Sequence, residues 1–376
     1  GTYIDPSNYS SFVDTLKTLS HYNITKKSGV VLAKHTIWTK ADGPYLVTGD
    51  VRVSMGDTLT IEPGSEIRFM PLSDSQSDGN EKSLSELYVL GTLIANGTEA
   101  DTIVFTSAAI SPSRGDWYGI YLNSSSTLNS SFDYTHIAYS KWGFRLYYRR
   151  GSVSDTTRVT NSRIHHTDIG IRDYYANSHT IIKNNTFHDI NESGISLYNG
   201  DQNYDGGGAY INNNRFFNIA GKAIKIEHRP GISEVSQNLI DGKGQGATGI
   251  YVYYTQGVIL KNNTIQNLSS SGIYLDYIDG YKNPIISEVT ANIIQDINNS
   301  GISLSQASAN VWDNVITGKG SSSGIYIYKD ESTLNKSTLS DTVRDNKITN
   351  FSHGIRLYGE ATPIIQYNDL HDNVYD

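Results

Sequence analysis

Aliphatic and polar positions alternate along most of this chain with the period of two that marks a β-strand with one buried face. The alternation is carried by a recurring five-residue phrase: Gly, Ile, any residue, an aliphatic residue and, in many copies, Tyr. It reads Gly194-Ile195-Ser196-Leu197-Tyr198, Gly249-Ile250-Tyr251-Val252-Tyr253 and Gly324-Ile325-Tyr326-Ile327-Tyr328, with looser copies around these. Marked by its second residue, the phrase recurs at Ile120, Phe144, Ile171, Ile195, Ile224, Ile250, Ile273, Ile302, Ile325 and Ile355, at spacings from 23 residues (Ile250 to Ile273) to 30 (Ile325 to Ile355). Self-similarity at such a period predicts a solenoid, one coil per copy.

A second column supports that architecture. Asn161, Asn185, Asn214, Asn238, Asn263, Asn292, Asn314, Asn346 and Asn368 each precede an apolar pair or alternation, as in Asn263-Thr264-Ile265. Each coil then repeats the order Asn turn, strand, short turn, Gly-Ile strand. Stacked Asn side chains can hydrogen-bond to one another and to turn carbonyls, so this column reads as structural.

Two segments break the pattern. Within residues 1–30, Phe12, Leu16 and Leu19 fall three to four apart after Asp5 and Ser7, which predicts a short helix between about Pro6 and Tyr22 capping the solenoid. Residues 31–376 then form the solenoid of about a dozen coils, an elongated body. From Pro71 to Ser85 a polar excursion is expected to bulge away as a mobile loop. Its Asp74, Asp78 and Glu81 are the candidates for a Ca²⁺ ion, but they lack EF-hand spacing and read as a solvated loop; no other metal or cofactor is expected. The last coil, ending at Asp376, carries no evident cap, which suggests a piece of a larger surface protein.

Composition narrows the class. Only 18% of residues are charged, while the chain holds 34 Gly and 27 Tyr, which suits strands and tight turns. A net charge of −8 argues against capture of nucleic acid. No apolar run approaches a membrane span. The absence of cysteine removes disulfides and thiolate chemistry and fits a bacterial exported protein, secreted or displayed on the cell surface.

The opening coils carry a resemblance. Gly56-Asp57-Thr58-Leu59-Thr60-Ile61-Glu62-Pro63-Gly64, Gly91-Thr92-Leu93, Ile103-Val104-Phe105-Thr106-Ser107 and Gly115-Asp116-Trp117-Tyr118-Gly119-Ile120 resemble the first coils of bacterial right-handed parallel β-helix proteins of the pectate-lyase-like superfamily. That implies an all-β, single-stranded, right-handed parallel β-helix. It implies little about activity, because the superfamily includes lyases, hydrolases, epimerases, tailspikes and non-catalytic adhesins. The Tyr-rich, Asn-rich make-up is similar in style to the cellulose-attaching tapirins.

If the aliphatic residues of each phrase point inward, their neighbours form outward columns. One reads Tyr121, Arg145, Arg172, Ser196, Lys225, Tyr251, Tyr274, Ser303, Tyr326, Arg356; the other Asn123, Tyr147, Tyr174, Tyr198, Glu227, Tyr253, Asp276, Ser305, Tyr328, Tyr358. Tyrosine rings stack on the apolar faces of pyranoses, and their hydroxyls and charged neighbours bond the sugar hydroxyls. The expected ligand-binding set is therefore Tyr147, Tyr174, Tyr198, Tyr251, Tyr253, Tyr274, Tyr326 and Tyr328 with Arg145 and Arg172, and the partner a polysaccharide such as cellulose or another plant or algal glycan, held without catalysis. Outward Tyr also arises from strand packing alone. A basic cluster of Arg145, Arg149, Arg150, Arg172, Lys222, Lys225, His228 and Arg229 supports a rival: a polysaccharide lyase that neutralises a uronate and abstracts its proton, with Lys225, His228, Arg229 and Tyr198 as the catalytic group. The phrase Lys225-Ile226-Glu227-His228-Arg229-Pro230-Gly231 resembles the Arg-His-Gly element of some β-helix lyases. A passive surface stalk is the third reading.

Overall fold

A computed structural model describes residues 25–27, 30–32, 34–77, 79–123, 129–147, 156–174, 179–199, 207–229, 231–244, 246, 248–278, 284–320, 322–330 and 340–376. The expected N-terminal helix, Asp78, Arg149 and Arg150 lie outside these residues. The chain divides into two compact units, residues 1–178 and 179–376. Among the described residues no helix is long and apolar enough to cross a membrane.

In the first unit the strands fall into three parallel sheets, each strand pairing with the strand one coil later. The first sheet holds Thr25–Lys27, Tyr45–Val47, Glu66–Phe69, Ile103–Ser107, Thr135–Ala138 and Arg163–His165. The second holds Val30–Leu32, Val51–Val53, Glu86–Val89, Gly119–Leu122, Trp142–Tyr147 and Ile169–Tyr174, and the third runs from Thr36–Trp38 to Thr156–Thr160. In the second unit the same cycle repeats, its second sheet comprising Ser193–Tyr198, Lys222–Glu227, Thr248–Tyr253, Ile273–Asp276, Ile302–Ser305, Ser323–Lys329 and His353–Gly359. Three sheets visited in turn by parallel single strands make a parallel β-helix, as the repeat predicts.

The Gly-Ile phrase sets the register of the second sheet. Ile120 pairs with Phe144 and Phe144 with Ile171 in the first unit, and Ile195, Ile224, Ile250, Ile273, Ile302, Ile325 and Ile355 pair in succession in the second. From Ile120 to Ile325 these residues are fully buried and fill the core. The glycine is there because coils approach closely: a Cβ on Gly143 would lie 2.3 Å from the Gly170 carbonyl oxygen, and one on Gly249 2.5 Å from that of Gly272.

The Asn column is a hydrogen-bonded ladder throughout the second unit. Asn185 donates its backbone N–H and its Nδ2 to Oδ1 of Asn214 at 2.9 and 3.0 Å, and the same pair of bonds links Asn214, Asn238, Asn263, Asn292, Asn314, Asn346 and Asn368 in turn. The second Nδ2 hydrogen of these residues reaches a carbonyl of the preceding coil, as from Asn263 to Val235 at 2.9 Å. Asn161 corrects the expectation. It takes the left-handed turn position, φ +48°, and bonds Asp133, while Ser162 stands immediately before the strand and accepts the Thr135 N–H at 3.0 Å.

The polar excursion also differs from expectation. Residues 71–77 and 79–85 form a strap tied to the first unit by Leu72 N–H to Asp116 O and Ser75 N–H to Thr48 O, while Ser85 N–H closes its base on Ser73 O at 2.8 Å. Leu84, 7% exposed, packs with Tyr118 and Tyr121 against Tyr88, Trp142 and Tyr147. One buried leucine among polar neighbours turns a loop into a cover.

Candidate functional site

The columns exist in register, but Tyr121, Ser196 and Ser303, expected to point outward, are buried. Tyr88, Tyr121, Arg145 and Arg172 are register partners on successive strands of the first unit, as are Tyr147 and Tyr174. In the second unit Ser196, Lys225, Tyr251, Tyr274, Ser303, Tyr326 and Arg356 form one column, and Tyr198, Glu227, Tyr253, Asp276, Ser305, Tyr328 and Tyr358 the other. Asp173, flanked by Arg172 and Tyr174, pairs with Leu146 in regular register and is fully buried.

In the first unit this face is hollowed into an open cleft of about 420 Å³, lined by Tyr118, Lys141, Trp142, Arg145, Tyr147, Arg172 and Tyr174 with Asn80 and Glu81 of the strap. The Arg145 guanidinium lies 4.9 Å from the Tyr121 ring, 5.3 Å from Tyr147 and 5.6 Å from Trp142, and donates a hydrogen bond to the Tyr118 hydroxyl. Arg172 lies 5.0 Å from the Trp142 ring and 5.3 Å from Tyr174. The rings of Tyr147 and Tyr174 stack 5.5 Å apart, within 6° of parallel. Aromatic rings hold both guanidinium groups by cation–π attraction, and their N–H groups are donors for an anion. Among the described residues no carboxylate lies within ion-pair distance of Arg145 or Arg172.

Lys141 is committed differently, with Nζ 3.3 Å from a Glu81 carboxylate oxygen of the strap. Burial raises the pKa of Tyr118 and Tyr121 above the ordinary tyrosine value, against the pull of Arg145, so both stay neutral. Beneath the strap, burial pushes the fully enclosed Glu86 up to about 7. Its Oε1 accepts the Asn80 N–H at 2.9 Å and Asn80 Nδ2 at 3.1 Å, and its own N–H bonds Asp50 Oδ1 at 2.9 Å.

In the second unit the residues of the lyase reading meet only in part. Tyr198 and His228 touch edge to face, ring centroids 5.1 Å apart, and burial lowers the His228 pKa, so the imidazole is neutral near pH 7. Lys225 is tied to Glu227 at 2.6 Å. Arg229 is fully buried, its Nε donating to Gly207 O at 3.1 Å, and so does not face solvent as the outward reading required. Tyr251 donates to Asp276 Oδ2 at 3.2 Å and packs on Tyr253 and Tyr274, while Lys222 lies 4.9 Å from its ring. Tyr326 and Tyr328 are half-buried, and Tyr328 meets Tyr358 at 5.7 Å.

Family profiles match most of this chain. The right-handed β-helix region profile matches residues 93–247 and 204–340, and a pectate-lyase-like β-helix domain profile matches residues 30–155. The chain belongs to the right-handed β-helix family. Among solved structures, this β-helix is similar to the periplasmic alginate epimerase AlgG (14% identity over 97% of this chain and 88% of that one, TM-score 0.60) and to a double mutant of AlgG (14%, 98% and 89%, TM-score 0.62). The A-module of the Azotobacter vinelandii mannuronan C-5 epimerase AlgE4 aligns at 15% identity over 97% and 96%, with a TM-score of 0.38. No curated protein sequence matches it. At these identities the AlgG likeness is one of fold, and the chemistry of this β-helix must be argued from its own side chains.

Proposed function

We propose that this β-helix binds an extended acidic polysaccharide without cleaving it, laying the glycan on the outer face of its second sheet. The observation that carries the reading is the pair Arg145 and Arg172: adjacent in one column, each within about 5 Å of an aromatic ring, uncommitted to any described carboxylate, and lining an open cleft. Tyr147 and Tyr174 offer ring faces and hydroxyls to the sugars, and the guanidinium edges match a uronate carboxylate or a sulfate. At about 420 Å³ the cleft falls within the range of about 300–1,000 Å³ usual for ligand sites. The fold shared with AlgG, named as an alginate epimerase, is consistent with a glycan ligand. The Tyr residues of the second unit, from Tyr198 to Tyr328, are read as further sugar contacts, and the protein as an exported or surface-displayed attachment module.

Each guanidinium contact to an anion is a charge-assisted hydrogen bond of about 1.5–3 kcal/mol. Arg145→Ala and Arg172→Ala are therefore expected to weaken binding of alginate or polygalacturonate about tenfold or more, read by calorimetry or affinity electrophoresis. Equal affinities for wild type and both variants overturn the site. The rival lyase centre retains one supporting contact, neutral His228 against Tyr198. Its signature is absorbance from unsaturated uronate products, lost on His228→Ala. No such product is expected, because Lys225 is occupied and Arg229 is enclosed.

A further inference from the structure

The columns of the first unit do not stay accessible along their length. Arg145 and Arg172 line the open cleft, yet their register partner Tyr121, one strand earlier, is only 3% exposed. The strap covers it: Leu84 lies with Tyr118 and Tyr121, while Asn80 and Glu81 stand at the cleft margin beside Tyr118. The cover is pinned on both legs. Leu72, Ser75 and Ser85 make the backbone bonds given above, Asn80 bonds Glu86 through two donors, and Glu81 reaches Lys141 on the cleft floor. Gly79, at φ +67°, allows the pinning, since a Cβ there would fall 2.2 Å from Glu86 Oε1.

Going from Arg172 to Arg145 and onward, an acidic polymer leaves two guanidiniums and meets the Glu81–Lys141 ion pair, then a region whose aromatic platform is hidden under Leu84. Sterics oppose passage in this direction: the following column positions are Tyr121, buried beneath Leu84, and Tyr88, and the next cation, Arg52, lies beyond them with its guanidinium 5.2 Å from the Tyr88 ring. A glycan aligned with the column has to stop there.

We infer that the strap is an end wall, and that the cleft of the first unit recognises the terminus of an acidic polysaccharide chain rather than its interior. This rests on the binding reading above and adds the part of the polymer that is bound. Strand spacing of about 4.8 Å places the two guanidiniums one step apart, so a terminal disaccharide spans the cleft floor.

The test is stoichiometric. Alginate and polygalacturonate, each fractionated into increasing mean lengths, are immobilised at equal mass and saturated with the intact protein. Recognition of termini makes the bound amount follow the number of chain ends, so that a tenfold longer polymer binds about one tenth as much. Capacity that follows mass, independent of length, overturns the end wall while leaving the binding reading intact. No binding of either polymer at any length sinks both. Leu84→Asn, which loosens the cover, and a variant with residues 73–83 replaced by a short Gly-Ser link are expected to move capacity from ends towards mass. If both fold and both still count ends, the strap is not the wall.

Discussion

Asn263→Leu lowers the stability of this β-helix by several kcal/mol, the largest single-residue effect expected outside the hydrophobic core. Leucine approximates the shape of asparagine and keeps the slot filled, so the loss is polar. Asn263 is 1% exposed and its amide is engaged at every atom: Oδ1 accepts the Asn238 N–H and Nδ2, and Nδ2 donates to Asn292 Oδ1 and to Val235 O. Leucine strands the Asn238 N–H and the Val235 carbonyl in a buried site. At about 1–3 kcal/mol for each buried group left unsatisfied, the cost is on the order of 3–5 kcal/mol, read as a lower urea midpoint or melting temperature. Its neighbour is the control. Asn262 is exposed and sits at φ +57°, so Asn262→Gly keeps the turn and changes stability by a few tenths of a kcal/mol. The cleft lies in the other unit, so affinity for the glycan stays unchanged in folded Asn263→Leu. A melting temperature equal to wild type would show the ladder to be decorative.

The same ladder explains what could be read in the sequence. A single-stranded β-helix turns sequence spacing into spatial columns, so any side chain whose role repeats every coil, such as Ile250 in the core or Asn263 in the ladder, leaves a periodic mark. The outward columns were legible for that reason, down to the pairing of Tyr147 with Tyr174. Features that occur once leave none. Leu84 is one apolar residue in a polar run, and nothing around it says that it will lie on Tyr118 and Tyr121. Trp142 opens its strand outside the Gly-Ile phrase, so its place between Arg145 and Arg172 follows only from the register. Arg229 follows His228, which takes a left-handed turn at φ +53°; the strand's in-out alternation stops there, and an arginine counted as outward is instead enclosed. Asn161 was displaced by one residue for a related reason, because the left-handed turn position and the ladder position are neighbours and both favour Asn.

Glu86→Gln is expected to make the protein more stable above neutral pH and to leave it nearly unchanged at pH 4. Glu86 is fully enclosed beneath the strap, and burial, reinforced by the nearby Asp50, holds its proton up to about 7 despite the Asn80 hydrogen bonds and Arg145. In the unfolded chain a glutamate ionises near pH 4.3. Between those values the folded protein binds a proton that the unfolded chain does not, so stability falls as pH rises through this window and levels off above it. The full loss is on the order of 3 kcal/mol, at about 1.4 kcal/mol for each unit of difference. Glutamine keeps an oxygen to accept from Asn80 and carries no charge to bury, so the variant lacks this slope. Wild type and Glu86→Gln should therefore melt together at pH 4 and separate by several degrees at pH 8, the variant higher. Parallel curves from pH 5 to 8 would mean that Glu86 is ionised in the folded state throughout. In that case the fold would favour the charged carboxylate, and the same substitution would lower stability at pH 8 instead of raising it.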